Sequence, residues 1–214
     1  MKLNRVERWS MNNPMRRAHQ RGPEARWIGE LAAGTLAGAR VLEVGCGRGV
    51  GVEILLDQLG ADTVVAVDID PAMIDRARRR LAPRPARQVT TAVGDAVALP
   101  VADRSLDAIV DFGAIHHVPA WRDALADARR ALRPGGLLLF EEIPRHTLDT
   151  WVMRTFTDHP RHDRFEPDEF TDELRHLGFD VSPPQGRLAG HVFVGAARSP
   201  YLHQTTKNLP IESR

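Results

Sequence analysis

One cysteine, Cys46, is all that 214 residues carry. No internal disulfide can form and no cysteine cluster can hold a metal, so a reducing cytoplasm is the expected compartment. An excess of charge of one sign is also lacking. Twenty-nine Lys and Arg stand against 28 Asp and Glu, and a net charge of +1 gives no global pull toward nucleic acid or membrane. Apolar runs such as Leu137-Leu138-Leu139-Phe140 are far too short to span a bilayer. The opening residues, MKLNRVERWS, hold charges and no apolar signal-peptide core. There is no internal repeat and no low-complexity linker. The composition, 43% apolar and 27% charged, is that of an ordinary globular protein. The length suits one core, and one domain is expected over 1–214.

Short apolar runs alternate with helical stretches. Residues 39–45 and 62–68 read as two buried strands, and 87–95, 105–113 and 136–143 as three more strands. Residues 51–60, 71–81, 119–136 and 167–178 read as helices; Pro71 suits a first helical turn, and Gly60 and Gly178 suit stops. FDVSPP and GHVFVGAAR read as two closing strands. Strands that alternate with helices imply crossovers. The expected fold is therefore α/β: a doubly wound, mostly parallel, seven-stranded sheet with helices on both faces. In such sheets ligands bind beyond the carboxyl ends of the strands.

The stretch VLEVGCGRGVG (41–51) places four glycines at every second position after the first strand. Such a loop, opening a helix, lets backbone N–H groups approach a ligand. The dinucleotide spacing fails, because the third glycine would fall at Val50 or Val52. A P-loop fails too, since no Gly-Lys-Ser/Thr follows. What remains is Glu43-x-Gly45-x-Gly47-x-Gly49.

With Asp68 ending the second strand, Gly94-Asp95-Ala96 ending the third, LPVADRSLDAIV (99–110), IHHV and RALRPGGLLLF, that loop resembles the class I S-adenosylmethionine-dependent methyltransferases. Within them it resembles the type 11, ubiquinone/menaquinone-biosynthesis-like family. The resemblance covers roughly residues 38–143. It implies a Rossmann-like methyltransferase fold and S-adenosylmethionine as cofactor, with S-adenosylhomocysteine as product. Gly45, Cys46 and Gly47 would wrap the methionine end, with Glu43 beside it. Asp68 would accept from both ribose hydroxyls, and Ile69 would pack on the adenine. Asp95 and the Ala96 N–H would read the adenine edge. Asp111 would lie next to the transferable methyl. Val101 and Leu106 stand where the family often has phenylalanine. Asp70 reads as a helix N-cap rather than the ribose ligand.

Each of these residues also has a plainer reading. Glu43 could simply satisfy loop N–H groups, Cys46 could be a small loop residue, and Asp111 could be strand-end packing. His116 and His117 are the candidate catalytic bases, since imidazole titrates near neutral pH. Their other reading is a turn that packs the next helix, because a sulfonium leaving group held in line needs no strong base. Glu141 and Glu142 end the fifth strand, and alternation lets one face the cleft. Asp158, His159, His162 and Asp163 lack tight ligand spacing, so no metal is expected.

The ends, 1–37 and 144–214, fall outside the resemblance. Residues 1–30, with Trp9, Trp27 and a cluster of arginines, read as a lid. Residues 144–170 read as the opposite wall, where Trp151, Phe156 and Phe165 suit an apolar pocket or plain core. The six arginines of 76–87 read as a solvated face. The expected reaction is methyl transfer to a small, apolar or lipid-like metabolite, with the acceptor atom open among O, N, C and S. No appended nucleic-acid module or aromatic-plus-basic pattern occurs. The rivals are a non-catalytic S-adenosylmethionine-binding protein and a nucleic-acid methyltransferase.

Overall fold

The computed structural model describes residues 14–151 and 162–201. Five strands run parallel: β1 (Arg40–Val44), β2 (Thr63–Asp68), β3 (Val89–Val93), β4 (Leu106–Phe112) and β5 (Leu132–Glu142). The β-branched and leucine-rich sequences of β1, β2, β4 and β5 suit burial on both faces, while β3 at the edge is half-exposed. Near the carboxyl end lie β6 (Asp180–Val181), β7 (Gln185–Arg187) and β8 (Val192–Arg198), with β8 antiparallel to β5. The sheet has eight strands, one more than expected; seven follow the order β3-β2-β1-β4-β5-β8-β6.

β7 is an addition off that path. It pairs with the same strand, β8, as β6 does, further toward the start of β8. The register moves by one residue between the two pairings. β6 and β7 are thus one edge strand interrupted at Pro183-Pro184, which lack the N–H groups a ladder needs. β5 also starts earlier than expected. Its register against β4 shifts between Leu106 and Ala108, and the Arg133-Pro134-Gly135 corner fits in that bulge.

Helices cover both faces. On one side α1 (Pro14–His19), a π-turn (Gln20–Glu24) and α2 (Ala25–Ala32) form a continuous helical arm. With α3 (Val50–Asp57) and α4 (Pro71–Leu81) they pack Ile28, Ile54, Leu55 and Ile74 on the sheet. On the other side α5 (Trp121–Ala131) and α7 (Pro167–His176) close over Phe140, Phe170 and Phe193; a single turn, α6 (Arg145–Leu148), precedes α7.

Sequence explains the helix starts. Asp70 accepts from Ala72 N at 2.9 Å with Pro71 at the first position, so it is the N-cap the sequence suggested. Glu166 and Glu169 make a reciprocal capping box around Pro167. The Phe165 ring packs against Phe170 and Trp121, with centroids 4.7 Å and 5.0 Å away. It is core, not the pocket wall that was the other reading, while Trp151 is exposed. Each fully buried aromatic contributes about 1.5–3 kcal/mol. Phe156, Trp9, Asp158 and His159 lie outside the described residues.

Arginines pair widely with acids: Arg84 with Asp57 at 2.6 Å, Arg80 with Glu53 at 3.2 Å, and Arg21 with the same Glu53. Among the described residues no helix is long and apolar enough to cross a membrane, and no group of three His, Cys, Asp or Glu side chains could hold a metal ion.

Candidate active site

β1 ends in the glycine loop. Cys46 N donates to Val67 O at 2.9 Å, pinning the loop to β2, and Gly49 N closes a turn on Cys46 O at 2.8 Å. Two glycines show why side chains are absent here. Gly47 has φ +53° and would project a Cβ into open space with no protein atom within 4 Å. Gly51 has ordinary helical backbone. Its Cβ would lie 2.6 Å from Glu43 Cδ and closer still to Oε1. Gly51 therefore makes room for a protein carboxylate, whereas Gly47 leaves room in the cavity.

That cavity measures about 420 Å³, within the range of small-molecule sites. Its floor is Glu43, the loop from Val44 to Arg48, and Asp68. One side holds Ile69, Met73 and the β3 end from Gly94 to Val97. The other side is the turn after β4, with Phe112, Gly113, Ala114 and His117. Arg16 and Gln20 of the helical arm also line it. Ile69 is 45% exposed and faces this space, an apolar side chain that a flat ring could cover.

The carboxylates are differently held. Asp68 Oδ2 accepts from Gly47 N at 2.9 Å, and Oδ1 accepts from Asp70 N at 2.8 Å. Each oxygen keeps a second acceptor site for a ligand. Burial raises its pKa, and the two N–H groups pull the other way. Glu43 is buried beneath the loop. Burial first, then the charges of Asp68 and Asp111, hold its carboxyl well above the usual range, opposed by the Val52 N–H. Its Oε2 is buried and meets no hydrogen-bonding partner, so a ligand donor or a proton is needed there. Asp95 Oδ1 accepts from Val97 N at 3.2 Å and stands at the rim.

Most expected cofactor contacts thus share one wall: Glu43, Gly45, Cys46, Gly47, Asp68, Ile69, Asp95 and Ala96. Cys46 contributes backbone. Its thiol is buried, and burial pushes its pKa far up, which leaves it a neutral packing group.

Two expected residues lie elsewhere. Asp111 is fully buried behind the wall, with Oδ1 accepting from Ala114 N at 2.7 Å. His116 is buried with it, its Nδ1 at 2.5 Å from Glu142 Oε2. Neither lines the cavity, because the turn after β4 folds back over them; of the two histidines, His117 does. Glu141 and Glu142 are buried too and line no part of it.

Sequence reasoning missed Gln20 and Met73, and it placed Arg16 only within a lid. Arg16 is paired with buried Glu24. Met73 could have been found from the Asp70 cap, since the first turn of α4 must face the end of β2.

Comparisons with known proteins bear on the family and the fold. Residues 41–136 match a family model described as "Methyltransferase domain". A probable S-adenosylmethionine-dependent methyltransferase of Mycolicibacterium smegmatis is 34% identical over 155 residues, covering 72% of this chain and 57% of that protein. A fatty-acid O-methyltransferase of the same organism is 33% identical over 130 residues, covering 60% and 46%. The chain therefore spans about half the length of these relatives. Among solved structures, a SAM-dependent methyltransferase from Aquifex aeolicus superposes with a TM-score of 0.71 over 92% of this chain and all of that one, at 19% identity, a likeness of fold.

Proposed function

Residues 41–136 of this chain are a class I S-adenosylmethionine-dependent methyltransferase domain, and from that premise we propose that the protein methylates a small, apolar or lipid-like metabolite. The observation that carries the cofactor reading is the floor of the cavity. Gly47 leaves it open, Asp68 has acceptor capacity left on both oxygens, and the Oε2 of buried Glu43 meets no partner.

These residues fit S-adenosylmethionine. Asp68 would take the ribose hydroxyls, Ile69 and Met73 the apolar ring faces, Asp95 and Ala96 its polar edge, and Glu43 with the loop the methionine end. Bound there, the cofactor supplies a methyl group already activated on a sulfonium. The chain's own work is to orient an acceptor in line with it and to exclude water, which lowers the barrier by positioning rather than by strong acid–base chemistry. His117, which lines the wall after β4, is the group placed to take an acceptor proton where one is lost.

The acceptor class rests on two supports. The wall is largely apolar, and a relative that shares 33% identity is named a fatty-acid O-methyltransferase. The arm from Pro14 to Ala32 acts as the lid in this reading, because Arg16 and Gln20 already reach the cavity. The single thiol fits a reducing cytoplasm.

The test uses methyl-labelled S-adenosylmethionine with an apolar extract in one arm and with RNA and DNA in the other. Label that partitions into the organic phase supports the proposal. Label found only in nucleic acid overturns it.

A further inference from the structure

Behind the cavity wall lies a buried polar cluster that lines no part of the ligand space. Glu142 ends β5 and is fully buried. Its Oε1 accepts from Ile115 N at 2.7 Å and His116 N at 3.2 Å. Its Oε2 accepts from His116 N and Ile143 N, both at 3.3 Å, and faces His116 Nδ1 at 2.5 Å. Asp111, at the end of β4, accepts from Ala114 N at 2.7 Å and hydrogen-bonds to Glu142 through its carboxyl.

Apart from Ile143 and the bond between the two acids, every one of these partners belongs to the segment 114–116. Gly113, Ala114 and His117 of the same turn face the cavity. A buried carboxylate is costly unless it is fully hydrogen-bonded. The apolar Ile115 side chain anchors the turn in the core, yet the backbone N–H groups of the turn are held by two buried acids.

We propose that Glu142, with Asp111 as its hydrogen-bond partner, is the positioning residue that hangs the turn after β4 and sets His117 against the cavity. The proposal rests on the methyltransferase reading of that cavity. Neither acid touches the ligand space. They act through the backbone they hold.

Two carboxyls can hydrogen-bond to each other only if one carries a proton. Burial raises both groups, Glu142 to about 7, and the N–H donors on both Glu142 oxygens favour the proton on Asp111. Asp111 Oδ2 receives no donor, unlike either oxygen of Glu142. The charged or titratable groups facing the pair are His116 from the turn, Glu43 from β1 and Glu141 from β5, the last two with pKa values that Asp111 raises.

This assignment separates two isosteric changes. In Glu142→Gln the new amide NH₂ must replace an oxygen that receives N–H donors on either side, so the turn loses its anchor. In Asp111→Asn the amide oxygen keeps Ala114 N and the NH₂ donates to Glu142, reproducing the protonated acid.

The experiment is NMR of ¹³C,¹⁵N-histidine-labelled full chain, with the His117 ring signal assigned through His117→Gln, beside calorimetric titration with S-adenosylhomocysteine. Glu142→Gln is expected to move the His117 ring signal and its titration midpoint and to weaken product binding about tenfold. Asp111→Asn is expected to retain the wild-type His117 signal. Leu174→Ala, a core truncation on α7, is expected to lower stability with that signal unmoved. A His117 signal unchanged in folded Glu142→Gln overturns the inference. If that variant does not fold, loss of the signal in folded Asp111→Asn overturns it. Failure of the wild type to bind the product defeats the methyltransferase reading and takes the inference with it; wild-type binding with an unmoved His117 defeats the inference alone.

Discussion

Alanine in place of a helical glycine ordinarily stabilises a protein by about 0.5–1 kcal/mol. Gly51→Ala is expected to do the reverse. Gly51 sits in the first turn of α3 without a positive φ, so the backbone itself would welcome alanine. The obstacle is Glu43. A Cβ at Gly51 lies 2.6 Å from Glu43 Cδ and 3.0 Å from Oε2. Glu43 is 2% exposed, so its carboxyl can shift only toward the cavity it floors, away from its present partner. Moving it leaves the Val52 N–H without its carboxyl acceptor. A buried donor left unsatisfied costs about 1–3 kcal/mol, and overpacking adds about 1–3 kcal/mol. Set against the helix gain, the net loss is about 1–5 kcal/mol. For a chain of this size each kcal/mol lowers the melting temperature by roughly 2–4 °C. The assay is urea unfolding followed by circular dichroism, with product affinity measured alongside. Both are expected to fall. A higher unfolding midpoint for Gly51→Ala would refute the claim that the glycine exists to seat Glu43.

Gly47→Ala separates space from stability: it is expected to fold with a loss of about 1 kcal/mol from its left-handed backbone, yet to lose most product affinity in calorimetry because its methyl enters the cavity. Stability is expected to fall as pH rises from about 5 to 9, read as a falling denaturant midpoint. Glu142 at about 7 and Glu141 at about 9 hold protons in the folded chain that the unfolded chain releases near 4.5, so the folded state binds more protons across that window. Phe170→Ala is expected to cost about 3–5 kcal/mol in denaturant unfolding, since the ring is fully buried among Phe140, Phe165 and Trp121. Arg84→Ala is expected to cost under about 1 kcal/mol in the same assay, because the Asp57 partner is half exposed.

The central parallel strands were legible because burial on both faces writes them as apolar runs, as in Thr63–Asp68. The interrupted edge strand was less so. Residues 180–187 carry no alternation, and only pairing with β8 shows that β6 and β7 are one strand broken by Pro183-Pro184. In the site, Asp68 and Asp95 could be placed because each stands at a strand end beside the cavity. Asp111 and His116 could not. Phe112 lines the cavity and Asp111 does not, a difference of one residue at a strand end. Which side chain turns inward is decided by the Ala114 N–H and by Glu142, 31 residues further along the chain from Asp111. No local pattern records a contact between two strand ends.

The most direct measurement is calorimetric titration of the protein with S-adenosylhomocysteine, beside Asp68→Ala and beside NAD. Asp68 holds Gly47 N and Asp70 N and lines the cavity. The account predicts saturable binding by the wild type, a loss of at least about tenfold in Asp68→Ala, and no response to NAD. Wild-type protein that binds NAD, or that binds the product equally well without the Asp68 carboxylate, would contradict it.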